Sequence, residues 1–266
     1  MSVPAVMGIL NVTPDSFFDG GRYRHEEAIL IRAEQLLEEG AAIIDIGAAS
    51  TRPGAKAVPV SEELSRLLPA IRAIRKHFPE SIISADTFRA TVAEQAVGEG
   101  ADIINDVGGG TLDAGMFGMI GKLKVPYILM HIHGRPETMQ ENPLAGNAVE
   151  TVSTFFREQL EALKADGTDN VLLDPGFGFG KSLEANYSLL AGLGKLTAFG
   201  HPLVAGLSRK SLINKVVGTK PEDALNGTTA ANTIALMNGA SILRVHDVKE
   251  AVEAVKVFAA SRKNAG

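Results

Sequence analysis

Residues 82–106 read IISADTFRATVAEQAVGEGADIIND, one full period of a pattern that runs through the whole chain. The apolar runs at 82–86 and 102–106 are too short for helices and lack polar alternation, so they read as strands buried on both faces. Between them Val92, Ala93, Ala96 and Val97 recur at helical spacing over 90–99. Gly100 stands just past the last periodic residue, where helices commonly end in a left-handed turn. Strand, helix, strand in this order is a parallel pair joined by a crossover helix.

The unit repeats in both directions. Further strand-like runs lie at 6–12, 42–47, 125–131, 170–174, 202–206 and 241–245, and further helical segments at 26–39, 61–77, 149–165 and 248–260, with Gly40 and Gly167 ending two of them. Eight such units in about 250 residues are the arithmetic of a closed (β/α)8 TIM barrel, the α/β fold expected here, with an open doubly wound sheet as the alternative. No linker or low-complexity tract divides the chain, so residues 1–266 are expected to form a single domain.

Composition narrows the chemistry. Of the 266 residues 45% are hydrophobic and 21% charged, which excludes a disordered or fibrous chain. A net charge of −5, without long runs of like charge, gives no whole-surface attraction to nucleic acid or anionic lipid. The absence of cysteine removes disulfides, thiol nucleophiles and Cys-ligated zinc, so any reaction must use oxygen and nitrogen groups. No apolar stretch is long enough to span a membrane and the opening residues carry no basic leader, so a cytoplasmic location is expected.

In a (β/α)8 barrel the active site forms at the C-terminal ends of the strands, and here those ends are polar. They carry Asn11, Asp45, Asp86, Asn105 with Asp106, His131, Asp174, the segment GLSRKS (206–211), and Arg244 with His246. Any one of them alone reads better as a helix cap or turn former than as a functional group. Together they would converge on one mouth, a mixture that a packed core has no reason to collect. Asp86, Asn105 and Asp174 offer hydrogen-bond groups to a flat heterocycle rich in N–H donors, and Lys210 a donor to a ring carbonyl. Arg244 and His246, two apart on one strand, can join Arg52 in binding an anionic leaving group such as phosphate or diphosphate. Asn11 is a neutral oxygen ligand suited to Mg2+, an ion that completes its shell with water and phosphate oxygens.

Two loops are too particular to be plain connectors. Residues 13–23 hold Pro14, Phe17, Phe18, Gly20 and Gly21, and residues 49–59 hold Thr51, Arg52, Pro53 and Gly54. Glycine hinges beside aromatic residues predict mobile lids after strands one and two. Residues 208–211 are expected to open a helix beside Lys210, a place suited to a carboxylate. Gly176, Gly178 and Gly180 lack the spacing of a phosphate loop and are expected to let the chain turn tightly around Phe177 and Phe179.

Taken in order, MGILNVTPDSFFDGG (7–21), DIGAASTRPGA (45–55), SADTF (84–88), INDV (104–107), MHIHGRPETMQ (130–140), LLDPGFGFGK (172–181), GLSRKS (206–211) and RVHDV (244–248) resemble the dihydropteroate synthase family of bacterial folate biosynthesis. The resemblance spans nearly the whole chain. It implies a transferase that condenses 6-hydroxymethyl-7,8-dihydropterin diphosphate with p-aminobenzoate, giving 7,8-dihydropteroate and diphosphate, with Mg2+ as cofactor, a homodimeric assembly and sulfonamides as inhibitors. It assigns the pterin to Asp86, Asn105, Asp174, Lys210 and Arg244, and p-aminobenzoate and the loops to Phe17, Thr51, Arg52, Pro53, Phe179, Lys210 and Ser211. Diphosphate falls to Asn11, Arg52, Arg244 and His246, the metal to Asn11, and the catalytic roles to Lys210, Arg244, His246 and Asp86. The implied chemistry is ionisation at the exocyclic methylene followed by attack of the neutral arylamine.

The chain departs from the family's usual pattern in three places. Ala48-Ala49 stand where Gly-Glu usually precedes Ser-Thr-Arg-Pro, Phe18 replaces a small residue, and His133 replaces a glutamine. A corrinoid methyltransferase would need the pterin residues without STRPG and SRKS, and a non-catalytic pterin carrier would bind without turnover. No Walker or dinucleotide fingerprint supports a nucleotide-binding reading.

Overall fold

Eight strands form one parallel sheet: β1 (Ala5–Asn11), β2 (Ile43–Gly47), β3 (Ile82–Asp86), β4 (Ile103–Asp106), β5 (Tyr127–Met130), β6 (Val171–Asp174), β7 (Val204–Ala205) and β8 (Ile242–Val245). Seven lie within the runs expected for them, and β1 starts one residue before its run. Neighbours follow the order β6-β5-β4-β3-β2-β1-β8-β7, and an isolated bridge between Leu173 and Leu203 draws the two end strands together, so the sheet is a nearly closed barrel. The chain folds as a (β/α)8 barrel; the computed structural model describes residues 3–13, 21–49 and 58–263. Phe17, Thr51, Arg52 and Pro53, and with them most of both expected lids, lie outside the described residues.

The crossovers are α1 (Gly21–Glu38), α2 (Val60–His77), α3 (Ala90–Gly98), α4 (Met116–Leu123), α5 (Ala148–Ala165), α6 (Leu183–Ala191), α7 (Ser211–Val217), α8 (Leu225–Met237) and α9 (Val248–Lys263). Gly40, Gly100 and Gly167 have φ of +101°, +109° and +76°, the left-handed exits that the sequence marks. One helix per strand is the simple expectation, but two helices separate β7 from β8. Gly218, at φ +73°, ends the seven-residue α7, and Pro221 opens a 3-10 turn before α8 starts. The extra helix begins directly after Lys210, at the mouth.

Strand alternation then sorts the side chains into two sets. Val6, Leu10, Ile44, Ile46, Ile83, Ala85, Ile104, Leu129, Leu173 and Leu243 face the helices and form the main core. The other parity points into the barrel. Met7, Ile43, Ile103, Ile128, Val204 and Ile242 pack there as an apolar floor. The next inward positions toward the strand C-termini are Asp45, Ser84, Asn105 and Arg244, and beyond them lie Asn11, Gly47 and Asp86. The barrel interior therefore changes from hydrocarbon to charge within two residues of strand.

After β5 and β6 the chain packs backbone against backbone. A Cβ on Gly176 would lie 1.9 Å from the His131 carbonyl oxygen, and one on Gly180 1.9 Å from that of His133. Both glycines also have positive φ, +68° and +64°. Gly180→Ala must both strain φ and push the two segments apart, with an expected loss of about 3 kcal/mol in urea denaturation. A loss below about 1 kcal/mol would show that the segments do not depend on this contact.

Candidate active site

The lowest polar layer is a cluster built on Asp45, which is completely buried in the middle of β2. Its place corrects the sequence reading, which took Asp45 as the end of the strand. Ser84 Oγ donates to Asp45 Oδ1 at 2.6 Å, Asn105 Nδ2 reaches both carboxylate oxygens at 3.3 and 3.2 Å, and Arg244 Nε donates to Oδ2 at 2.7 Å. Arg244 Nη2 also donates to Asp86 Oδ2 at 2.7 Å. Asp45 has no exposed side-chain surface, whereas Arg244 keeps 20% and Asp86 11%, so the latter two can meet a ligand and Asp45 can only hold them. With its N–H committed to Asp45, Asn105 has its carbonyl oxygen left as an acceptor.

Burial governs the charges. Desolvation raises the Asp86 carboxyl to about 7; Arg244 pulls it down, while Asp45, Glu63 and Asp106 push it further up. Burial would lower Arg244, but Asp45 and Asp86 outweigh it and hold the guanidinium above its ordinary value. Asp106 is raised mainly by burial, yet it serves structure: it accepts from Tyr127 Oη at 2.6 Å and from the amides of Gly108 and Gly110 at 2.7 and 2.8 Å.

Across the mouth, Lys210 is the second charged group. Its Nζ donates to the Phe177 carbonyl and lies 4.6 Å from the centre of the Phe179 ring. Gly206 leaves the gap between Lys210 and Asp174 open: a Cβ there would lie 3.7 Å from Lys210 Nζ and 3.8 Å from Asp174 Oδ2. Asp174 accepts from the Gly176 amide at 2.7 Å. Burial raises its carboxyl and Lys210 opposes the rise; burial lowers the Lys210 ammonium to about 8, with Asp174 opposing and Arg244 reinforcing.

The rim completes the arrangement. Asn11 closes β1 opposite Asp86, with Gly47 between: a Cβ on Gly47 would lie 3.5 Å from Asn11 Oδ1 and 3.6 Å from Asp86 Oδ2. His246 follows β8, where its amide and its Nδ1 each lie 3.1 Å from Ser208 Oγ. Next to these, Arg209 stands at φ +56° and makes two bonds of 2.9 and 2.7 Å to Asp247, so the loops after β7 and β8 are stitched twice. Ser211 is exposed at the first turn of α7. Two arginines hold the described ends of the second loop: Arg66 Nη1 donates to the Ala48 carbonyl at 3.1 Å and Arg89 Nη2 to that of Val58 at 2.6 Å. Ala48, where the family usually has glycine, buries its methyl in the core.

Sequence reasoning did not single out an apolar wall of Val107, Met130, Ile132 and Met139, against which Phe88 and Phe179 pack. His131, inspected as a strand-end polar residue, is a core histidine. It is lowered to about 3, chiefly by burial, and stacks edge-on against Phe155 at 5.1 Å.

The chain whose barrel mouth carries this acceptor-rich floor, lysine and aromatic ring is matched over residues 7–246 by the model of the family described as pterin binding enzyme. The chain belongs to the dihydropteroate synthases within that family. It is 45% identical to the Escherichia coli K12 dihydropteroate synthase over 98% of this chain and 93% of that one. The Yersinia pestis enzyme, solved with a sulfonamide drug complex, superposes with a TM-score of 0.91 at 43% identity, covering 98% of this chain and 94% of that one. The Xanthomonas albilineans enzyme in complex with 7,8-dihydropteroate gives a TM-score of 0.87 at 41% identity, covering 97% and 94%.

Removing one partner from a buried charge cluster strands the others. Asp45→Asn is therefore expected to cost about 3 kcal/mol of stability in denaturant unfolding, although no surface group changes. A variant as stable as the parent would show that Arg244 does not depend on Asp45.

Proposed function

We propose that the chain condenses 6-hydroxymethyl-7,8-dihydropterin diphosphate with p-aminobenzoate, giving 7,8-dihydropteroate and releasing diphosphate. The observation that carries this reading is the division of the mouth: Asp86, Asn105 and Arg244 share one anchored network, and Lys210 lies over Phe179 opposite it. In this reading Asp86, Asn105 and Asp174 accept the N–H groups of the pterin, and Lys210 donates to its carbonyl. Arg244, locked in plane by Asp45 and Asp86, gives the ring a flat cation to stack upon. His246, Arg244 and Arg52 hold the diphosphate. This reading gives p-aminobenzoate to Phe17, Thr51, Pro53, Phe179 and Ser211; the C–O bond to diphosphate breaks first, leaving a cation at the methylene, which the neutral amine then attacks with loss of its proton to water. No strong general base is needed, because the amine is unprotonated at neutral pH, and positioning supplies much of the rate.

Mg2+ fits the donor set. Among the described residues no cluster of three His, Cys, Asp or Glu side chains could hold a metal, and Asn11 offers a neutral amide oxygen near the Asp86 carboxylate. Such a site suits an ion that takes most of its ligands from diphosphate and water. Bound there, Mg2+ would neutralise charge on the departing diphosphate.

Among the described residues no helix is long and apolar enough to cross a membrane. We propose a homodimer, supported by the exposed apolar side chains Val216 and Val217 on α7 and Ile234 and Met237 on α8, and, as a separate proposal from the family's biosynthetic role, a cytoplasmic location.

Purified protein incubated with the dihydropterin diphosphate and Mg2+ is expected to release dihydropteroate, followed by chromatography, only when p-aminobenzoate is present. A sulfonamide should suppress product competitively against p-aminobenzoate. Tight pterin binding without turnover would overturn the reading. The pH profile follows from the two shifted groups. Asp86 accepts best when ionised, above about 7, and Lys210 donates best when protonated, below about 8, so kcat/KM should be bell-shaped with its maximum between these values. Asp86→Asn should remove the acid limb, and a flat profile across this range would show that neither group titrates in the free enzyme.

A further inference from the structure

Lys181 has no part in the reaction proposed above, yet it is only 3% exposed. A lysine ammonium is not buried without partners. Here the partners are three backbone carbonyls: Nζ donates to Gly176 at 2.7 Å and to His131 and Phe179 at 3.2 Å each. An ammonium has three protons and no lone pair, so the three acceptors use its donors completely. Two of them belong to the turn that follows β6, and the third to the chain leaving β5. Lys181 therefore fastens its own turn to the neighbouring strand end.

Other groups complete the fastening. Gly178 donates its amide to Asn186 Oδ1 at 2.7 Å and accepts from Gln140 Nε2 at 3.0 Å. Asn186 Nδ2 donates back to the Lys181 carbonyl at 3.0 Å. The turn held in this way delivers two things to the mouth, the Phe177 carbonyl that accepts from Lys210 and the Phe179 ring beneath the same ammonium. Neither is a charged group, and neither has a side-chain anchor of its own in this set of bonds.

We infer that Lys181 is a positioning residue of this site: by gathering the His131, Gly176 and Phe179 carbonyls it holds the 175–180 turn in the shape that seats Lys210 and Phe179, and so sets the arylamine half of the pocket. This rests on the reading that Lys210 and Phe179 meet the substrates. Burial lowers the Lys181 ammonium to about 7, with Asp174 opposing and Lys210 adding to the fall, as expected of a cation held mainly by carbonyl dipoles.

The test compares the full-length protein with Lys181→Met, which has no donor, and Lys181→Gln, which keeps two. Amide hydrogen exchange over 176–180 is measured first, without substrate. Exchange there should accelerate by about tenfold in Lys181→Met while the rest of the barrel is unchanged, with Lys181→Gln between. In steady-state assays the KM for p-aminobenzoate, which is read by Phe179, should rise about tenfold, and that for the dihydropterin diphosphate, which loses only the seating of Lys210 and keeps Asp86, Asn105, Asp174 and Arg244, should rise less. Unchanged exchange in folded Lys181→Met protein, or a fall in kcat with both KM values unmoved, overturns the inference. If Lys181→Met does not fold, the same comparison with Lys181→Gln decides. If the unsubstituted protein makes no dihydropteroate, the functional reading fails on its own, and the exchange data still decide whether Lys181 holds the turn.

Discussion

The site depends on keeping Arg244 charged and still inside a barrel. A guanidinium removed from water needs fixed acceptors, and here it has Asp45 from β2 and Asp86 from β3. Those carboxylates need donors in turn, and Ser84 and Asn105 supply them to Asp45. Residues on four strands are thereby set by one cation. Hydrophobic packing alone would leave their rotamers free to vary, whereas the bonds to Arg244 admit one arrangement. The cost appears in Asp86, whose carboxyl burial lifts toward neutrality although it contacts a guanidinium.

The other half of the mouth is organised by backbone groups instead. Lys210 leans on a carbonyl and a ring, and Asp174 is capped by the amide of Gly176 two residues on. Glycines at left-handed φ make this economical, since chain can lie on chain without side chains between. One half of the site is thus an ion network with directional bonds, and the other a folded turn. The first fixes directional donors and acceptors, and the second sets a lysine, a carboxylate and an aromatic ring by the shape of the backbone.

Much of this was legible in the chain itself. Apolar runs without alternation located every strand, because a parallel barrel buries both strand faces and so leaves a strong local signal. Asp86, Asn105, Asp174, Lys210 and Arg244 were legible for a related reason, since polar residues at the ends of such runs must face the mouth. Asp45 was misread because a one-dimensional run does not say how deep the barrel's polar layer begins. The charge in IIDIG was visible, but its partners lie 39, 60 and 199 residues away. The wall formed by Met130, Ile132 and Met139 gave no signal, since its residues look like any other core. Lys181 was hidden differently: a lysine after a glycine-rich turn reads as solvated surface, and only the packing of two backbones around it makes it interior. The helix expected to open at residues 208–211 is α7, which starts at Ser211 and stops after only seven residues, too few for periodicity to mark its length.

The barrel is not equally strong all the way round. β1 and β2 pair along five registered residues, whereas β6 and β7 meet through the single bridge of Leu173 and Leu203, and β7 itself is two residues long. Few backbone bonds mean a low free energy for local opening, so the staves beneath Asp174 and Lys210 form a seam in the wall. The mouth accordingly has a stiff jaw, carrying the Arg244 network, and a compliant one, carrying Lys210 and Phe179. The whole β7 side can shift along the seam, while the Arg244 side is a lattice of charges that has nowhere to move. A ligand that spans this mouth would therefore be gripped firmly at one end and followed by the wall at the other.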